Sequence, residues 1–116
     1  MAIERRRHSR IPVNWPVIII TPQRYIGGEA RNISIGGAFI HCLTEPREAE
    51  PFRMAIKAPF REELFVLTAE VAWSNIESHT EDPSFSGMGV RFTGAGDDGS
   101  LSIAEMISDH LKSEDV

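Results

Sequence analysis

The sequence predicts an antiparallel β-barrel or rolled sheet followed by one C-terminal helix. Three observations lead there. Residues 64–74 alternate, with Phe65, Leu67, Ala69, Val71 and Trp73 on one face and Val66, Thr68, Glu70, Ala72 and Ser74 on the other. A period of two is that of a strand with one face in a core. Five or six short apolar runs are separated by Pro, Gly and Asp turn signals, with no strand–helix–strand rhythm. One helical stripe ends the chain, with Ile103, Ile107 and Leu111 spaced by four and Ala104 on their face.

The elements follow in order. Residues 1–10 have no apolar periodicity and read as a flexible basic arm. Residues 13–20, Val-Asn-Trp-Pro-Val-Ile-Ile-Ile, suit a strand buried on much of both faces. Pro16 cannot donate to a ladder, so regular pairing begins around it or the strand lies at an edge there. Thr21 to Arg24 and the Gly27-Gly28 pair are turn signals. A short strand over 29–33 ends at Asn32-Ile33-Ser34-Ile35-Gly36-Gly37, and the third strand covers 37–43. Two prolines and four charges make 44–51 a loop. Residues 53–58 form a strand with Met54 and Ile56 on one face, stopped by Pro59. Residues 75–86 are a hairpin loop, and 87–92 the last strand, burying Met88, Val90 and Phe92. A Gly- and Asp-rich linker over 94–99 leads to the helix, about Leu101 to Lys112. Ser102 with Glu105 fits a capping box, Ser100 is the other cap candidate, and Lys112 suits the negative helix end.

At 116 residues the chain holds one domain: an arm over 1–10 and a barrel with its helix over 11–112. No apolar run reaches the eighteen or so residues of a membrane span. The N-terminus, Met-Ala-Ile-Glu and then arginines, lacks the apolar stretch of a secretory signal, which implies a cytoplasmic protein. The single cysteine, Cys42, excludes an internal disulfide and a Cys-x-x-Cys metal site and suits a buried small apolar role. His41, His79 and His110 are scattered, and Met54, Met88 and Met106 suit packing, so no metal site is expected. With no nucleophile–base pair and no P-loop lysine, neither is an enzyme.

Net charge is −5, yet Arg5, Arg6, Arg7 and Arg10 carry +4, which leaves −9 on the remainder. Cationic charge gathered at one end of an acidic chain suits a compact anionic ligand and argues against a DNA or RNA partner. The arginines include an R-x-x-x-R spacing at Arg6 and Arg10. The turn stretch has the order Asn-x-Ser-x-x-Gly at Asn32, Ser34 and Gly37. Alone, the first reads as a solvated tail and the second as a self-bonded turn. The two together, in this order in a small β-rich chain, form a more specific pattern.

That pattern resembles the R-x-x-x-R and [D/N]-x-S-x-x-G signature of PilZ domains, bacterial receptors for the second messenger cyclic di-GMP. The Gly87-Met88-Gly89-Val90-Arg91-Phe92 run is similar to the family's final strand, and Glu70-Val71-Ala72-Trp73 to the strand before it. The resemblance spans about Glu4 to Leu111. It implies an all-β fold, a six-stranded antiparallel (split) β-barrel with a C-terminal α-helix. It implies cyclic di-GMP as ligand, with no further cofactor. By position it places Arg6, Arg10, Asn32, Ser34 and Gly37 at the ligand, with Arg5, Arg7 and Gly36 as neighbours the motif does not fix.

The chemistry suits that ligand. An arginine fork matches guanine O6 and N7 with two parallel hydrogen bonds, and also pairs with phosphate and stacks on flat rings. The Asn32 oxygen is an acceptor for guanine N1–H or N2–H. Ser34 either donates to a phosphate or bonds locally to the backbone, and Gly36 and Gly37 allow close approach. Residues 32 and 34 share a face if the strand stays extended. Asn32 stands where Asp is also allowed, exchanging charge assistance for less repulsion of an anion. Trp73 lies on the apolar face, where core packing is the expected role and a base contact the alternative.

The expected function is therefore a non-catalytic cyclic di-GMP receptor. Its arm would close the ligand onto the barrel and pass the change to a downstream effector protein, as monomer or homodimer, without membrane insertion. The alternative is a PilZ-like adaptor that binds protein and no nucleotide.

Overall fold

A computed structural model of the protein describes residues 10–46, 51–59, 61–76, 86–93 and 103–111. Six strands follow in order: β1 (Ile11–Ile20), β2 (Tyr25–Ile33), β3 (Gly37–His41), β4 (Phe52–Ile56), β5 (Phe65–Ser74) and β6 (Gly87–Thr93). Residues 103–111 form one helix, α1. Every strand pair is antiparallel, and the sheet closes in the order β1-β2-β3-β6-β5-β4. The expected six-stranded barrel with a C-terminal helix is the observed fold.

β1 corrects one expectation. Its β-branched run is not buried on both faces. Val13, Trp15, Val17 and Ile19 point into the core while Asn14, Pro16 and Ile18 face out. Closure of the barrel gives β1 only one inner face, so Ile18 stays 45% exposed despite its chemistry. Pro16 lies inside the strand. Its missing donor costs nothing there, because β4 pairing starts one residue later at Val17↔Ile56, and the Pro16 carbonyl accepts the Lys57 N–H at 2.9 Å.

β2 begins earlier than expected. The turn is only Thr21 to Arg24, closed by Thr21 N–H to the Arg24 carbonyl at 2.9 Å. Gly27 and Gly28 are strand residues paired with Ile18 and Val17. Gly28 is there for close approach, since a Cβ on it would sit 2.7 Å from the His41 carbonyl oxygen.

The interior is filled from all six strands, with Trp15, Ile19, Ile33, Ile40, Met54, Ile56 and Met88 fully buried. Helix α1 adds Ile103 and Met106, each worth roughly 1.5–3 kcal/mol of burial. Ile107 packs at the margin of the core. Its stripe therefore runs through Met106 and not to Leu111, which is 44% exposed. His110 meets the Trp15 ring edge-on at 5.7 Å. Arg61, just past β4, reaches Asp109 at 3.1 Å and Glu105 at 3.5 Å, fixing the helix on the barrel. The expected cap residues Ser100 and Ser102, Lys112, the 94–99 linker and, of the two expected loops, residues 47–50 and 77–85 lie outside the described residues.

Candidate ligand surface

Two β-bulges decide which side chains reach the outer wall. In β2, Ala30 pairs with Trp15 and Asn32 with Pro12, so Arg31 alone opposes Val13 and Asn14. On the other side Ala30 pairs with Ile40 and Asn32 with Phe39, so against β3 it is Arg31 that is the extra residue, whereas against β1 the extra residue lies in β1. The bulge lets Ala30 and Ile33 both bury while Asn32 turns to the outer side. In β5, Val71 pairs with Val90 and Trp73 with Gly89, so Ala72 is extra. This reverses the alternation at its last turn. Trp73, expected in the core, is 49% exposed.

The registers then line up one cross-strand row over four strands: Asn32↔Phe39↔Gly89↔Trp73. Trp73 lies over Gly89, whose added Cβ would meet the indole Nε1 at 2.2 Å. Phe39 lies over Gly87 in the same way, with its Cζ 2.6 Å from a Cβ there. The rings are nearly parallel, 19° apart, with centroids at 5.6 Å. Each glycine gains apolar cover that it cannot supply itself, and the stacked ring pair forms an aromatic floor on the outer wall. The neighbouring row is Gly37↔Arg91↔Glu70, in which Arg91 donates to Glu70 Oε1 from Nη2 at 2.6 Å and from Nε at 3.0 Å.

At the edge of the floor, the Asn32 Oδ1 accepts two hydrogen bonds. One comes from the Phe39 backbone N–H at 3.2 Å and one from Arg10 Nη1 at 2.9 Å. Both lone pairs of that oxygen are engaged, and the amide presents Nδ2–H groups instead. Ser34 does not share this face. It is 5% exposed, and its Oγ accepts the N–H groups of Gly36 and Gly37 at 3.2 Å each while its own N–H bonds the Gly37 carbonyl at 2.8 Å. Of the two roles considered for Ser34, the local one is built. The Gly36 carbonyl accepts the Phe92 N–H at 2.9 Å, and a Cβ on Gly37 would lie 2.3 Å from the Val90 carbonyl oxygen. The turn is thus locked onto β6.

Arg10, Asn32, Ser34, Gly36 and Gly37 gather at one end of the β2–β3 hairpin, and Trp73 joins them through the row. Arg5, Arg6 and Arg7 lie outside the described residues. Phe39 escaped the sequence reading, as did the service of Gly87 and Gly89 as ring beds. The Gly-x-Gly spacing opposite an aromatic strand was the available signal. Cys42 is buried, and burial pushes its thiol up to about 11. Among the described residues no group of three or more His, Cys, Asp or Glu is placed to hold a metal ion. No described helix is long and apolar enough to cross a membrane.

The surface sets two aromatic rings beside an amide and a guanidinium on the outer wall of a small closed β-barrel. The sequence profile of the PilZ domain matches residues 4–108, and the chain belongs to the PilZ family. PilZ domains are non-catalytic. Solved structures share the fold. The chain is similar to the Bacillus subtilis inhibitor of motility MotI/DgrA, with TM-score 0.68 and 21% identity over 95% of this chain and 53% of that one. It is similar to Escherichia coli YcgR in complex with c-di-GMP, with TM-score 0.75 and 15% identity over 97% of this chain and 48% of that one. The PilZ domain of CeSA from a cellulose-synthesizing bacterium matches with TM-score 0.65 and 16% identity over 89% of this chain and 98% of that domain. The chain spans about half the length of the first two structures. No curated protein sequence matches it.

Proposed function

We propose that this chain is a cyclic di-GMP receptor whose ligand lies on the Asn32–Phe39–Gly89–Trp73 row, under the arginine arm. The carrying observation is that Arg10 is tied to Asn32 at the edge of an aromatic floor. A guanine base stacks on such a floor at about 1–3 kcal/mol per base. Arg6 and Arg10 supply forks for guanine O6 and N7 and for phosphate, with Arg5 and Arg7 adding charge. Asn32 takes a different part from the acceptor expected of it. Its oxygen serves Phe39 and Arg10, so its Nδ2–H groups address acceptors on the ligand. Ser34, Gly36 and Gly37 hold the turn in shape. That YcgR, a structural relative, was solved with c-di-GMP both as a longer protein and as its PilZ domain supports the same ligand here.

Binding orders the arm, and charge-assisted bonds offset the entropy of that ordering. The ordered arm then changes the surface that a downstream effector protein meets in the cytoplasm, with the receptor acting as monomer or homodimer. Isothermal titration with cyclic di-GMP, with GTP as control, tests the reading. Saturable heat with cyclic di-GMP alone is the expected result. Absence of heat and of any thermal shift would move the assignment to a protein-binding adaptor.

A further inference from the structure

The other end of the same hairpin carries a second built feature. β2 pairs with β1 along Tyr25 to Gly28, but its pairing with β3 starts only at Glu29↔His41. Beyond His41 the chain bonds towards the opposite side, with the Cys42 N–H on the Ser86 carbonyl at 3.3 Å. The first four residues of β2 therefore have a strand neighbour on one side only. A cleft of about 570 Å³ opens beside them, lined among others by Arg24, Tyr25, Gly27, Arg31, Leu43 and Thr44.

Three properties of the cleft select its occupant. Tyr25 at 74% and Leu43 at 64% are the most exposed large apolar side chains among the described residues, and both stand at this cleft. Gly27 leaves its floor open, with nothing within 4 Å of where a Cβ would be. Its charge opposes that of the protein. Arg31 is paired with Glu29, whereas Arg24 donates to a backbone carbonyl, that of Glu45, at 3.2 Å. The lining thus keeps a net positive charge on a chain of net charge −5. A one-sided strand edge accepts another extended backbone, apolar walls accept alternate apolar side chains, and an arginine accepts a carboxylate.

We infer that this cleft docks an extended apolar–acidic segment of a separate protein, added alongside Tyr25 to Gly28. The segment sits at the end of β2 opposite Asn32, so both ends of one hairpin are interaction sites. The inference stands on the cleft alone and does not require the nucleotide reading.

The test uses the full chain and a random dodecapeptide library displayed on phage. Selection is made on the parent and counter-selected on Gly27→Val, which fills the cleft where the fold leaves space. The expected result is enrichment of peptides alternating apolar and acidic residues. Their synthetic copies should bind the parent and lose at least tenfold in affinity to Gly27→Val and to Arg24→Glu, with an unchanged melting temperature. Gly27→Val should keep the cyclic di-GMP affinity of the parent, which separates a failure here from a failure at the nucleotide surface. No enrichment over Gly27→Val, or enrichment of peptides indifferent to Arg24, would overturn the inference. So would a concentration-dependent dimer abolished by Gly27→Val, which would assign the cleft to a second copy of the chain.

Discussion

Arg10 and Asn32 are joined by a hydrogen bond of 2.9 Å from Nη1 to Oδ1, across 22 residues of sequence. The bond brings the last residue of the basic arm to the outward amide that the β2 bulge creates. It joins the two motifs, and it sets the first expectation. Arg10→Ala and Arg6→Ala should each weaken cyclic di-GMP binding at least about tenfold, or ~1.4 kcal/mol, by titration calorimetry. Arg10→Lys should recover little, because a point charge lacks the fork. Parent-like affinity in both alanine variants would remove the arm from the site.

Trp73 stacks beside Phe39 with half its surface exposed, so its loss should cost binding more than folding. Trp73→Ala should reduce affinity by roughly 1–3 kcal/mol, the usual loss of a base-stacking aromatic. Its urea midpoint should fall only slightly. A large midpoint shift with unchanged affinity would return Trp73 to a packing role.

The glycines of the row and the turn should behave differently on substitution. A Cβ on Gly89 meets the Trp73 side chain, which can swing away, whereas a Cβ on Gly37 meets the backbone oxygen of Val90 at 2.3 Å. Gly89→Ala should fold nearly as the parent while binding cyclic di-GMP more weakly. Gly37→Ala should lose stability outright, seen as a lower melting temperature.

These bulges mark where the sequence stopped being legible. Period-two alternation located β5 and its core face through Val71, and the two motifs located the hairpin end. Periodicity carries no trace of the extra residue at Ala72, because a bulge is a mismatch between two strands and not a pattern within one. Strict alternation therefore puts Trp73 on the inner face, and the bulge turns it outward. Likewise, Gly27-Gly28 looks like a turn locally, and only the close approach of His41 shows why a strand would hold glycine. The apolar run 13–20 suits a strand buried on much of both faces, but barrel closure, not side-chain chemistry, sets the outward face of Ile18. Leu111 kept the spacing of a stripe that the helix completes through Met106 instead.

Ser34→Ala tests whether the serine of the motif is structural. Its hydroxyl satisfies two amides while almost fully buried. Leaving them without that acceptor should cost about 1–3 kcal/mol of stability in urea unfolding. A variant as stable as the parent would mean that the hydroxyl is reserved for ligand.

Cys42 supplies a pH expectation. Burial raises its thiol to about 11, above the ordinary 9.0, so the folded protein holds the proton more tightly than the unfolded chain. Stability from this group is complete below pH 9 and declines as pH climbs from 9 towards 11. At pH 8 the native thiol should resist alkylation by iodoacetamide, and urea should make it reactive. Rapid labelling of the native protein would contradict its burial.

The chain has two tryptophans, and their placement provides the most direct test of the proposed surface. Trp15 is buried at 1% exposure and Trp73 stands on the outer row. A ¹⁵N-labelled sample therefore gives two indole N–H resonances, one reporting on the core and one on the proposed floor. Titration with cyclic di-GMP should move the Trp73 indole, the Phe39 amide and the Asn32 side-chain amide while the Trp15 indole stays in place. An unmoved Trp73 at saturating ligand, or a response centred on Trp15, would show that cyclic di-GMP binds somewhere else or not at all.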